Sequence, residues 1–303
     1  MSYRRSYDIL CRQSDKQRWL ELHNTGIGAS EIAAVLGEHP YQSNLRVWGE
    51  KATLLQARDL SDREPVYWGL VLEPVVAREF KKRTGLPVRK AGQLFRSRLH
   101  PWAITTLDYW TQGPDGRWNI PVQVKTTASW MLDYWTEGAP GFVQTQVQHE
   151  MLVTGAPYAH VVVLAGGQRF LRDEIKRDEA KLAQIVKGGG EFWELVQRGE
   201  APIADSSNET AKAIKALWPK ARIGAEKVLR EEANEWDYQL VQAKENKSLY
   251  EKLVKELENK LKADIGDAQV GILPNGKGAY TYLNRTRRGY EVQPTEFRVL
   301  DRV

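Results

Sequence analysis

Between Pro87 and Thr127 the apolar residues stop recurring at helical spacing and alternate instead, in the runs VRKAGQLFRS, WAITTLDYW and IPVQVKTT. Alternation of period two sends every second side chain to one face, so such runs belong in a sheet with a buried face. The tetrad Gly113-Pro114-Asp115-Gly116 separates the last two runs, and Asp-Gly is strong turn chemistry, which predicts a hairpin or meander. Helical patterns surround this region. Gly28 to Leu36, GASEIAAVL, places Ile32, Val35 and Leu36 at helical spacing behind Ser30, a hydroxyl placed to cap. In WGLVLEPVVAREFKKRTG, Leu72, Val76 and Phe80 share a stripe and Gly85 closes the segment, with Pro74 best tolerated near a first turn. FVQTQVQHEMLVTG reads as a helix ending at Gly155, YAHVVVLAGG as a buried strand, and about Asp178 to Arg198 as another helix. The order α-β-β-β-α-β-α predicts an α/β protein, a mixed β-sheet flanked by helices.

Composition bounds what else the chain can be. With 303 residues, 42% hydrophobic and 27% charged, it can bury a full core, which excludes disordered and collagen-like chains. No stretch approaches the roughly 18 uncharged apolar residues of a spanning helix, and MSYRRSYDIL lacks an apolar signal core, so the expected location is cytoplasmic. A single cysteine, Cys11, forms no internal disulfide and reads as a small packed side chain. The net charge of +5 suits a polyanionic partner. The linker-like APIADSS divides the chain into residues 1–204 and an extension, 205–303. The extension carries a long charged helix from roughly Ala225 to Ala263, with Leu253, Leu257 and Leu261 on one face, then Pro274-Asn275-Gly276 and one or two strands.

The chemistry concentrates in the β-like region. On the strand PVQVK, Gln123 and Lys125 project together while Val122 and Val124 enter the core, and Asp108 on the preceding strand reaches the same spot. Aspartate followed on a neighbouring strand by acid-x-Lys is an arrangement of metal nucleases: carboxylates hold a divalent ion, and lysine orients water and steadies developing phosphate charge. Here glutamine stands at the acid position. Asp115 is assigned to the turn, because eight residues to Gln123 leave too little strand on its side.

GIGASEIAAVLG, WGLVLEPVVAREF, TLDYW, VQVKTT, VQTQVQHEMLVTGAPYAHVVVLAGG and a later FW, in this order from about residue 18 to 200, resemble the YqaJ-like viral recombinase family, to which phage lambda exonuclease is related. The resemblance implies a PD-(D/E)XK, restriction-endonuclease-like core that digests duplex DNA 5′ to 3′, leaving a 3′ single strand for a single-strand annealing protein. It implies Mg²⁺ (or Mn²⁺), two ions, a ring-shaped homo-oligomer, trimeric in the family, and a phage or prophage origin in a bacterial host. Carried onto this chain, it makes Glu73 the helix-borne metal carboxylate, Asp108 the central metal ligand and Lys125 the catalytic lysine. Gln146 or Gln148 lines the site, and Ser30 lies near the terminal phosphate.

Two departures qualify these roles. His23 stands where the family tends to place a phosphate-gripping arginine, and Gln123 stands where it has glutamate. An amide oxygen touches a hard cation without supplying charge, so metal binding weakens. Gln123 is either an engineered isosteric change or a natural variant. Three functions follow: an exonuclease attenuated by Gln123, a structure-specific endonuclease of the same fold, or a non-cleaving DNA-end binding scaffold. Among the eleven tryptophans, Trp48, Trp68 and Trp193 are expected in the core, and Trp110, Trp118, Trp130 and Trp135 beside the site, more often packed than stacked on bases. Lys81-Lys82-Arg83, Arg89-Lys90 and Arg285-Arg287-Arg288 are candidate phosphate contacts.

Overall fold

The structure is a computed structural model and describes residues 6–56 and 63–286. In chain order the first elements are β1 (Tyr7–Arg12), α1 (Lys16–His23), β2 (Ile27–Gly28), α2 (Ala29–Val35), α3 (Asn44–Lys51) and α4 (Glu64–Thr84). Five strands follow, β3 (Val88–Lys90), β4 (Gln93–Ser97), β5 (Ala103–Thr106), β6 (Tyr109–Gln112) and β7 (Trp118–Thr127). After a 3-10 turn, Ser129–Trp135, come α5 (Gly141–Thr154), β8 (Tyr158–Ala165), β9 (Arg169–Lys176), α6 (Glu179–Arg198) and α7 (Asn208–Leu217). The chain closes with α8 (Ala233–Ile265), β10 (Val270–Ile272) and β11 (Ala279–Thr281).

Residues 1–219 form one compact unit and 220–303 another, so the division falls after α7 rather than at the linker-like residue 204. The reason is packing: Ala213 of α7 is fully buried in the same cluster as Leu45 and Trp48 of α3, and Leu217 packs against it.

The first unit contains two sheets rather than one meander. One has the order β1-β4-β5-β2, the other β3-β6-β7-β8-β9, and consecutive strands β5 and β6 lie in different sheets. The β6–β7 hairpin is antiparallel and β7–β8 is parallel, so the larger sheet is mixed, flanked by helices as its sequence pattern predicts. Val122 and Val124 face α4 in a cluster with Val76, Ala77 and Phe80; of the stripe read from the sequence, Val76 and Phe80 enter this cluster and Leu72 does not. On the opposite face, Val161 and Val163 of β8 pack under Val143, Val147 and Met151 of α5. In the parallel register Gln123 pairs with Val161 and Lys125 with Val163, which puts both polar side chains on the α5 face.

Several local expectations need correction. Ser30 does not cap α2: the N-cap is Gly28, whose own N–H donates to the Glu31 carboxylate three residues into the helix at 2.7 Å, the glutamate half of a capping box. Pro74 lies in the interior of α4, and Pro65 occupies the first turn instead. Trp68 is half exposed, its indole N–H donating to Glu64 one turn earlier, whereas Trp48 is buried and Trp193 packs against the core. Strands β1 and β9 were not expected. β9 is an edge strand whose RFLRDEIK composition is dominated by charge, which masks its period.

In the second unit α8 has no buried residue, and Leu253 and Leu257 of the apolar stripe stay about half exposed. The Pro274-Asn275-Gly276 turn joins the β10–β11 hairpin, with Gly276 at φ +65° and the Asn275 side chain accepting from the N–H of Lys277. Arg287 and Arg288 lie outside the described residues. Among the described residues no helix is long and apolar enough to cross a membrane.

Candidate active site

Asp108 sits on the bend where the chain leaves the β1-β4-β5-β2 sheet and enters the other. The adjoining register Tyr109↔Val122 brings it beside the middle of β7. Its Oδ2 accepts the backbone N–H of Val124 at 2.8 Å and the Gln123 amide N–H at 2.6 Å. A carboxylate only accepts, so this pairing fixes the amide with its nitrogen toward Asp108. The Gln123 oxygen is then left buried without a hydrogen-bond partner. Burial first, then the nearby charge of Glu73, pushes the Asp108 carboxyl up to about 6, against the Val124 N–H, Lys125 and Lys90.

Glu73 arrives from α4, on the other face of the sheet. Its carboxylate forms an ion pair with Lys90 of β3 and is hydrogen-bonded to the phenol of Tyr109. Burial and that carboxylate push the Tyr109 hydroxyl up to about 12. Glu73 therefore acts on Asp108 through its charge, with Lys90 already beside it. The exposed pair Arg89-Lys90, read from the sequence as a phosphate contact, is thus divided: Lys90 serves Glu73, and Arg89 lies over the Trp118 ring, 4.7 Å from its centroid.

Lys125 points from β7 toward α5, where its Nζ donates to the Gln146 side-chain oxygen at 2.8 Å. Gln146 in turn donates from Nε2 to Glu150, one helical turn on, at 3.0 Å. Glu150 is completely buried, and its second oxygen has no partner. Burial, then the Asp108 charge, pushes its carboxyl up to about 8, while burial lowers the Lys125 ammonium. One oxygen of the Glu150 carboxyl accepts an amide hydrogen of Gln146 and so turns the amide oxygen toward Lys125. The sequence reading missed Glu150. The available signal was its spacing of four from Gln146, which places both on one face of α5.

Gln148 is two residues from Gln146 and points elsewhere, as helix geometry requires. It donates to the Lys176 carbonyl at 2.7 Å and accepts from the Asp178 N–H at 3.1 Å, tying the end of β9 to the start of α6. His23 also stands apart from the acids. Its ring stacks on Trp19 and meets Lys51 at 3.3 Å, while Lys51 pairs with Glu31 at 2.8 Å. Burial lowers the His23 imidazole to about 4, so it is uncharged at neutral pH and offers no cation to a phosphate. Ser30 is exposed in the first turn of α2. Asp115 lies in the turn as expected, its carboxylate accepting from the Arg117 N–H at 3.0 Å. His149 and His160 are packed, the first against the Ile104 carbonyl.

Among the described residues, no group of three or more His, Cys, Asp or Glu side chains forms a ready-made metal cage. What converges is one partly buried carboxylate, Asp108, a second whose charge it feels, Glu73, and the unpartnered oxygen of Gln123. All three are hard oxygen donors. Mg²⁺ is commonly held by only one or two carboxylates plus water and phosphate oxygens, so this set fits such an ion, with less charge than three carboxylates would supply.

A mixed sheet between helices is the fold that this chain shares with a phage-type exonuclease. The crystal structure of an alkaline exonuclease, LHK-Exo, from Laribacter hongkongensis shares this fold, with a TM-score of 0.50 and 19% identity over 60% of this chain and 93% of that one. The YqaJ-like viral recombinase domain matches residues 18–157. The YqaJ protein of Bacillus subtilis (strain 168) is 30% identical over 274 residues, 88% of this chain and 84% of that protein. The chain belongs to the YqaJ-like viral recombinase family.

Proposed function

We propose that this chain is a divalent-metal-dependent exonuclease that removes nucleotides from the 5′ strand of duplex DNA ends, exposing a 3′ single strand for an annealing protein. The observation that supports this reading most is the convergence of Asp108, Gln123 and Lys125 at the centre of the larger sheet, with Glu73 contributing its charge from α4. Asp108, Glu73 and the Gln123 oxygen would hold Mg²⁺ or Mn²⁺, in one or two sites. The ion, when bound, supplies a Lewis acid for the phosphate and a more acidic water. Lys125 donates toward the phosphate oxygens and steadies the charge that develops there. Gln146 holds Lys125 as a donor, and Glu150 holds Gln146. Family resemblance adds a ring-shaped homo-oligomer, trimeric in relatives, around the duplex; such a link retains any sequence through phosphate contacts alone.

The test is digestion of end-labelled linear duplex with Mg²⁺, with Mn²⁺ and with EDTA, comparing 5′ and 3′ labels. Loss of the 5′ label first, only with metal, is the expected result. Cleavage at internal positions instead would indicate the structure-specific endonuclease. One observation favours a second reading, a DNA-end binding scaffold: Gln123 is neutral and its amide donates to an Asp108 oxygen that a metal would otherwise use. Tight end binding without cleavage under any metal would establish it.

A further inference from the structure

A cavity of about 510 Å³ opens beside Lys125. Four segments of the first unit build it: residues 38–41 after α2, the end of β7, the 3-10 turn that follows it, and the first turn of α5. Lys125 and Thr127 form its inner end, and Tyr41, Met131, Tyr134 and Phe142 its apolar walls. The volume falls within the roughly 300–1,000 Å³ of small-molecule sites, and the lining has their character, mostly apolar with a few convergent polar groups.

The walls are held from behind. Trp135 and Val143, which also line the cavity, are buried in the cluster under α5, and Phe142 packs against that cluster. His39 lies against Phe142, with ring centroids 5.1 Å apart. Glu38, also at the cavity, is neutralised by Lys181 at 2.5 Å and bonded by Thr145 at 2.7 Å, so its charge does not oppose an anion. Yet Tyr41 is 58% and Tyr134 67% exposed, so two aromatic side chains lining the cavity stay open to water next to the lysine of the site.

We infer that this cavity is a nucleobase subsite, which receives the unstacked base of the nucleotide whose phosphate lies at Lys125. The inference rests on the nuclease reading above and gives it a substrate contact that the acids cannot make. Its physical basis is that a base inside a duplex has both π-faces covered, whereas an unpaired terminal base presents them to aromatic side chains whatever its identity. The joint presence of a cation and aromatic walls selects a phosphate with an attached ring over a purely apolar partner side chain.

Binding of thymidine 5′-monophosphate and of deoxyribose 5-phosphate to the full chain, in EDTA, separates base recognition from cleavage. By isothermal titration calorimetry or saturation-transfer NMR the nucleotide is expected to bind about tenfold tighter than the sugar phosphate, the scale of one base–aromatic stack. The Tyr41→Ala/Tyr134→Ala chain should lose that preference, both changes being at exposed positions that leave the core intact. Asp108→Ala should keep it, since it removes the proposed chemistry and not the cavity. Equal affinity for both ligands in the unaltered chain, a preference that survives the double substitution, or a preference lost in Asp108→Ala would each overturn the inference. Because no arm requires hydrolysis, a chain that never cuts DNA still tests it.

Discussion

Replacing Gln123 by glutamate keeps the shape of the side chain and inverts its electrostatics. The amide N–H that now donates to Asp108 at 2.6 Å becomes a carboxylate oxygen facing another carboxylate. Two unit charges 4 Å apart repel by about 4 kcal/mol at an effective dielectric constant of about 20. Asp108 is already pushed up to about 6 by burial and Glu73, so the new pair relieves the strain by retaining a shared proton at neutral pH. Metal-free Gln123→Glu should therefore be about 2–4 kcal/mol less stable than the parent, or roughly 4–16 °C lower in Tm for a unit of this size. A divalent ion restores this stability, since binding at 100 times Kd contributes about 2.7 kcal/mol. The same added charge should speed Mg²⁺-dependent release of a 5′ label about a hundredfold, equivalent to about 2.7 kcal/mol of barrier. Thermal melts of both chains in EDTA and in Mg²⁺, beside single-turnover digestion, measure both effects. A variant as stable as the parent in EDTA, indifferent to Mg²⁺ and no faster, would show that position 123 holds no metal and that the assigned site is wrong.

Three further outcomes are expected. In the Gln123→Glu background, Asp108→Ala and Lys125→Ala should abolish cleavage with the circular dichroism spectrum unchanged, while Asp115→Ala stays within about twofold because its carboxylate only closes a turn; inactivation by Asp115→Ala would show the hairpin register to be misassigned. Glu150→Gln should remove a pH dependence: the buried carboxyl sits near 8 when folded against an ordinary 4.5, so its stabilising contribution is present below 4.5 and lost as pH rises through about 8. Urea titrations should then show the parent losing a few kcal/mol relative to the variant between pH 5 and pH 9, and parallel curves would refute the burial argument. A chain ending at Pro219 should fold with a cooperative melt, because α7 stays on α3, whereas one ending at Asp205 should be destabilised by loss of Ala213 and Leu217 from the core.

How much of the site was legible depends on the range of the interaction. Period two in PVQVK placed Gln123 and Lys125 on one face and Val122 and Val124 on the other, because strand geometry alone dictates it. Gly155 closing α5 with φ +73° and Asp115 in its turn were legible for the same reason, each being a matter of local backbone conformation. The separation of the two sheets at Asp108 was not, since nothing in TTLDYW says that the strands before and after it pair with different neighbours.

The chain's sequence by itself thus determined the helical and strand periods, the pairing of a glutamine with a lysine on one strand face, and the turn chemistry between elements. Only the tertiary structure decided which charged groups meet. It buried Glu150 behind Gln146, turned Gln148 to the α6 junction, enclosed His23 with Lys51 and Glu31, and left Trp68 half exposed on a long helix. Periodicity assigns a residue to a face, but what covers that face comes from segments tens of residues away. Burial, charge and hydrogen-bond partner depend on that covering rather than on the residue's own neighbours in sequence.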